Sequence, residues 1–85
     1  MRLELVTPTG SIFSEEVDEA IVPAVDGRMG ILKGHADMLA ALGDGALEYK
    51  KSSGGSSSIQ LHGGGFLQVE KDNIFVLAES TSSIN

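Results

Sequence analysis

Met29-Gly30-Ile31-Leu32-Lys33-Gly34-His35-Ala36-Asp37-Met38-Leu39-Ala40-Ala41-Leu42-Gly43-Asp44-Gly45 places two short apolar runs on either side of a Gly34-His35 turn. Gly30, Gly34, Gly43 and Gly45 mark each change of direction, and glycine reaches positive φ and close backbone approach without a Cβ penalty. Met38 to Leu42 is too short a run between breakers to nucleate a stable helix. The stretch is therefore read as strands, and strand patterns continue on both sides of it.

Toward the N-terminus, Arg2-Leu3-Glu4-Leu5-Val6-Thr7 alternates with period two, which points Leu3 and Leu5 inward. Pro8-Thr9-Gly10 reads as a turn into a second strand at Ser11-Ile12-Phe13-Ser14. Ala20-Ile21-Val22-Pro23 is a further apolar strand, and Pro23, lacking an N–H, sets its end at an edge or a bend. Asp26-Gly27 follows, a hairpin signal whose residues tolerate the positive φ of a primed turn, with Asp26 and Arg28 at an exposed tip.

Toward the C-terminus, Leu47 to Lys50 is expected to pair with Ile59 to His62 across the low-complexity loop Lys51 to Ser58, which is expected to be mobile. Gly63-Gly64-Gly65 reads as a bulge or sharp bend, since a strand, Phe66 to Glu70, follows it. Ile74-Phe75-Val76-Leu77-Ala78 is apolar at every position, the pattern of a strand covered on both faces. Glu79 to Asn85 is polar, and residues 81–85 are expected to form a tail after a sandwich domain spanning 1–80. The expected fold is all-β: a flattened antiparallel β-sandwich or barrel of about ten short strands.

Composition narrows the function classes. Six basic against twelve acidic residues give a net charge of −6, which repels phosphate backbones, and one tyrosine with three phenylalanines supplies no stacking platform for bases. Nucleic acid is not an expected partner. Cysteine is absent, so there is neither a disulfide nor a thiolate metal site, and an intracellular chain is expected. No run approaches the length of a membrane span, and direct lipid insertion is not expected.

Catalytic chemistry finds no anchor. Glu15-Glu16-Val17-Asp18-Glu19 lacks the spacing of a calcium loop and reads as a solvated strand face. His35 has His62 as its sole histidine companion, too few ligands for zinc, and no nucleophile and orienting carboxylate are spaced to form a triad with it. No catalytic residue, metal ligand or cofactor site is assigned. Two classes remain: a subunit that works by contact, marked by an exposed apolar patch, and a stand-alone small-ligand or carbohydrate-binding β-domain, marked by a concave polar pocket.

The ordered series Val6-Thr7-Pro8, Phe13-Ser14, Pro23, Gly27, Gly30-Ile31-Leu32, Gly34-His35-Ala36, Leu39, Leu42, Gly45, Gly64-Gly65-Phe66, Val69 and Val76-Leu77-Ala78-Glu79 resembles the N-terminal domain of ATP synthase epsilon subunits. That resemblance implies a ten-stranded sandwich in the central rotor of an F-type ATP synthase. Its implied role is noncatalytic: it packs on the gamma subunit, rests on the polar loops of the c ring, and couples proton-driven rotation to ATP synthesis. The implied location is the cytoplasmic face of a bacterial plasma membrane.

By position, the resemblance implies a c-ring contact at Asp26, Gly27, Arg28 and Met29, and a gamma contact at Ile12, Phe13, His35 and Leu39. Relatives commonly carry an acid where this chain has Arg28. Arg28 either meets the ring or finds a carbonyl or carboxylate of its own, and Ile12 and Phe13 are open to either a core or a contact role. Longer relatives add a C-terminal helical hairpin that restrains hydrolysis; the expectation is a coupling domain without that brake.

Overall fold

Seven β-strands and no helix make up the computed structural model, which describes residues 1–83. In chain order they are β1 (Arg2–Thr7), β2 (Gly10–Ala24), β3 (Gly27–Leu32), β4 (Met38–Leu42), β5 (Gly45–Lys51), β6 (Ser56–Glu70) and β7 (Asn73–Ser83). The all-β class stands, and Met38 to Leu42 is a strand. The count of about ten short strands becomes seven because β2, β6 and β7 are long and change partners midway. Sequence punctuation splits such a strand in two.

The registers divide these strands between two layers. The first half of β2 pairs with β1, and its second half lies between β3 and β5. The start of β6 pairs with β5 and its end with β4, while β7 follows β6 along both halves. One layer thus runs β3, late β2, β5, early β6, late β7. The other runs early β2, β1, early β7, late β6, β4, with the core between them.

One pairing departs from the antiparallel expectation: β1 and β7 are parallel, Leu3 beside Ile74 and Leu5 beside Val76. These strands lie at opposite ends of the chain, so no short turn forces them to run antiparallel. Leu3, Leu5, Val17, Leu47, Leu67 and Val76 are among the fully buried side chains. Alternation along each strand delivers them, as in Leu67 and Val69 inward against Gln68 outward.

The bend in β6 falls at the glycine triplet, as the sequence implies. The register steps from His62 opposite Ser80 to Gly65 opposite Ala78, which leaves one extra residue on β6. Gly63 and Gly64 have φ of 83° and 78°, and a Cβ on Gly65 would stand 1.9 Å from the Leu77 carbonyl oxygen. β2 bends at a smaller irregularity where Asp18 is extra, opposite Lys50-Lys51, and the Asp18 carboxylate accepts the Ser52 hydroxyl at 2.9 Å.

Several local expectations need correction. The β2–β3 turn is formed by Val25 and Asp26, with Ala24 opposite Gly27, so Asp26 is a turn residue at negative φ and Gly27 opens the next strand. Gly30 lies inside β3 rather than at a change of direction. Thr81 and Ser82 belong to β7, opposite Leu61 and Gln60, because β6 continues far enough to offer them an edge. They are therefore not a tail, and residues 84–85 lie outside the described residues.

The serine-rich loop narrows to Ser52–Gly55, held by Lys51 N–H to Gly55 O at 2.9 Å and Ser52 N–H to Glu16 O at 3.1 Å. Finally, the run Ile74 to Ala78 buries Ile74, Val76 and Ala78 but leaves Phe75 and Leu77 exposed. No layer covers its second face.

The β6–β7 turn gives a test of small amplitude. Lys71 and Asp72 adopt φ of 48° and 63°, the geometry of a primed hairpin turn that favours asparagine or glycine. The Lys71 N–H donates to Asp37 Oδ1 at 3.1 Å, and the Gly34 N–H donates to Asp72 Oδ1 at 3.1 Å. Lys71→Asn keeps the backbone donor while relieving left-handed strain, and is expected to stabilise the fold by about 0.5 kcal/mol. A calorimetric midpoint should rise by roughly 2–4 °C.

Candidate functional site

Two surfaces stand out. The first is the outward face of the layer that contains β4. Because side chains alternate, residues between the buried positions of β1, β7, β6 and β4 share this face. Cross-strand registers line up Val6, Leu77, Phe66 and Ala41 in one row, and Glu4, Phe75, Gln68 and Leu39 in the next. Leu39 is 74% exposed and Phe66 60%, with Phe75 and Leu77 also exposed. Six of the eight are apolar, which makes this a candidate interaction face.

The expected gamma-contact residues separate on this structure. Leu39 lies on the face, and Ile12, the extra residue of a β1–β2 irregularity beside Val6, is exposed near its edge. Phe13 pairs with inward-facing Leu5 and packs on the core, its ring 5.0 Å from that of Tyr49. His35 occupies the turn after β3, half-buried, and its Nδ1 donates to the Ala36 carbonyl at 2.8 Å.

Phe66, Phe75 and Leu77 are absent from the contacts that the resemblance implies. The run Ile74 to Ala78 carries the pattern of a doubly covered strand, and only the register, which sets Phe75 between Glu4 and Gln68, tells its outward face from its core face.

The second surface is the β2–β3 tip. Asp26 projects from the turn and forms no ion pair among the described residues, whereas Arg28 folds back: Nη2 is 2.6 Å from Glu48 Oε1 and Nη1 donates to Ala46 O at 3.0 Å. Gly27 provides a φ of 128°, and the side chain of Met29 is half-buried against the core. Between the tip and β4 runs an open groove of 570 Å³, with Val25, Asp26, Met29, Met38 and Leu39 in its walls. Leu39 belongs to both surfaces.

Other features offer less chemistry. A cleft of 270 Å³ beside the glycine triplet is walled by Pro8, Phe66, Leu77 and Glu79, and another of 360 Å³ by Glu19, Glu48, Tyr49 and the serines at the start of β6. Within the acidic run of β2, Glu16 meets the N-terminal ammonium at 3.5 Å and Arg2 at 3.7 Å. His62 bonds to Ser82 at 2.7 Å. Among the described residues no group of three His, Cys, Asp or Glu could hold a metal ion, and no helix is long and apolar enough to cross a membrane.

Comparison with known proteins places this architecture. The chain is 38% identical over 84 residues to the ATP synthase epsilon chain of Wolinella succinogenes, covering 99% of this chain and 63% of that protein. It is 43% identical over 79 residues to that of Solibacter usitatus, covering 93% and 58% respectively. The chain thus spans about three-fifths of the length of these relatives.

Among solved structures, the fold superposes with a TM-score of 0.86 on a chain of the Euglena gracilis mitochondrial ATP synthase assembly of OSCP, F1 and c-ring, at 24% identity, covering 95% of this chain and 51% of that one. A chain of the Tetrahymena thermophila mitochondrial ATP synthase central stalk and c-ring gives 0.83 at 16% identity, covering 98% and 66%. A family profile described as ATP synthase, Delta/Epsilon chain, beta-sandwich domain matches residues 1–83. With the family profile and the relatives both matching nearly the whole chain, it belongs to the delta/epsilon family of ATP synthase beta-sandwich domains.

Proposed function

We propose that this chain is a noncatalytic central-stalk subunit of an F-type ATP synthase, gripping the gamma subunit with its apolar face and the polar loops of the c ring with its β2–β3 tip. Its role is mechanical: it transmits ring rotation to gamma, so that proton flow drives ATP synthesis at sites on other subunits. The working location is the cytoplasmic face of the bacterial plasma membrane. The observation that carries this reading is the two-row apolar face over β1, β7, β6 and β4, joined to membership of the family.

In this reading the gamma contact centres on Leu39, Phe66, Phe75 and Leu77, with Ile12 and His35 toward its margins and Phe13 supporting it from the core side. The ring contact uses Asp26 and Gly27 directly, with Arg28 and Met29 shaping the tip from behind. The test is co-purification. The tagged chain, expressed in cells of its own source, should bring gamma and c subunits out of detergent-solubilised membranes; capture of neither overturns the reading.

Charge at the tip supplies a smaller, graded prediction. A rim ion pair contributes about 0.2–1 kcal/mol, so Asp26→Asn should weaken capture of the c ring by roughly 1.4- to fivefold at low salt. The difference should shrink as salt screens the contact.

A further inference from the structure

Pro23 occupies a place in β2 where a hydrogen-bond donor is wanted. Its carbonyl accepts the Gly43 N–H at 2.8 Å, so this side of the residue faces β4 and β5. The N and O of one strand residue point the same way, and the ring nitrogen faces that side as well. There β2 and β5 run in antiparallel register, Ala20 opposite Tyr49 and Ile21 opposite Glu48. Carried on along both strands, that register sets Pro23 opposite Ala46.

Proline has no N–H to give. The Ala46 carbonyl receives Arg28 Nη1 instead, at 3.0 Å. Arg28 comes from the opposite flank: it is the partner of Pro23 in the β2–β3 ladder, so its side chain lies on the same face as the proline ring and crosses it to reach β5. Its other terminal nitrogen ends 2.6 Å from Glu48 Oε1. Pro23 is buried even though Ile21, on the same face, is only half-buried.

We propose that Arg28 is a positioning residue. Its guanidinium gives Ala46 the hydrogen bond that Pro23 cannot and staples β3 to β5 across β2. By ending on Glu48 it also leaves Asp26 as the uncompensated charge of the tip, which suits the tip to a partner surface bearing lysine or arginine. This last clause rests on the stalk reading; the staple does not.

A double-mutant cycle on urea unfolding tests the staple. In the Pro23 background, Arg28→Ala should lower the folding equilibrium constant about three- to tenfold, the range of one net hydrogen bond. In the Pro23→Ala background, where residue 23 regains its N–H, the same change should cost less than about twofold. Equal losses in both backgrounds overturn the staple. Should Pro23→Ala fail to fold, the cycle is run on Glu48→Gln, where Arg28→Ala still removes the donor to Ala46. A persistent loss supports the staple, and no loss reduces Arg28 to an ion-pair partner and overturns it.

The charge clause is read from membrane capture with Glu48→Gln. Releasing Arg28 from its carboxylate should weaken capture of a cationic surface roughly two- to fivefold at low salt. Stronger capture would mean that Arg28 meets an acid on the partner, and would overturn the clause. If the unaltered chain captures no stalk subunit, the stalk reading and the charge clause fall together, while the unfolding cycle decides the staple by itself.

Discussion

Gly65→Ala is expected to destabilise the fold by about 3–4 kcal/mol, the far end of what one methyl group does. The new Cβ would lie 1.9 Å from the Leu77 carbonyl oxygen and 2.9 Å from its carbon, and both belong to the strand paired with β6. A side chain in the way can rotate; backbone inside a ladder cannot yield without breaking the Gly65–Ala78 register. For a domain of this size the thermal midpoint should fall by roughly 12–30 °C. Gly30→Ala is the matched control, since nothing lies within 4 Å of its Cβ position and its φ is not positive. It should change stability by about 0.5 kcal/mol at most. Similar losses at both sites would remove the tight strand approach as the reason for the triplet.

Phe66→Asp is expected to abolish capture of the gamma subunit while leaving the domain folded. Phe66 is 60% exposed and sits in the middle of its row, between Leu77 and Ala41. A large aromatic at the centre of a desolvated interface commonly contributes about 2 kcal/mol or more, which is about a thirtyfold loss of affinity on truncation. A charge in its place adds an unpaired carboxylate to the buried contact.

Leu39→Asp, at the neighbouring row, should act in the same direction. Both positions are outward-facing, so unfolding midpoints should move little, in contrast to Phe13→Asp, which buries its charge against Tyr49 and the core. Gamma capture by folded Phe66→Asp and Leu39→Asp at the level of the unaltered chain would refute the apolar face as the contact.

Sequence patterning reached the fold class because each determinant is local. Alternation in Arg2 to Thr7 needs only neighbours to declare Leu3 and Leu5 inward, and three consecutive glycines declare a bend wherever they fall. Partner identity is not local. Nothing near Val17 says that β2 leaves β1 for β5 there, so one bent strand read as two short ones. The parallel pairing of β1 with β7 joins the two ends of the described chain and has no sequence signature of its own.

The candidate site divides the same way. Asp26 and Gly27 announce a tip from composition alone, and Leu39 was reached through family resemblance. Phe66, Phe75 and Leu77 needed the register that stacks them, since an apolar run looks alike whether a second layer covers it or open solvent does. Arg28 shows the converse: its charge was legible, but its engagement by Ala46 and Glu48 depends on two strands far away in sequence.

The parallel pairing of β1 with β7 also bears on biosynthesis. As the polypeptide emerges from the ribosome, β1 precedes β7, one of its two neighbours, by the whole length of the described sheet. Until that strand clears the exit tunnel, Leu3 and Leu5 lack half their shelter, and the sheet that carries Phe66 has an unfilled slot. Maturation of this layer thus waits on the synthesis of β7, a slow, long-range step in which a waiting partner subunit or a chaperone has time to intervene.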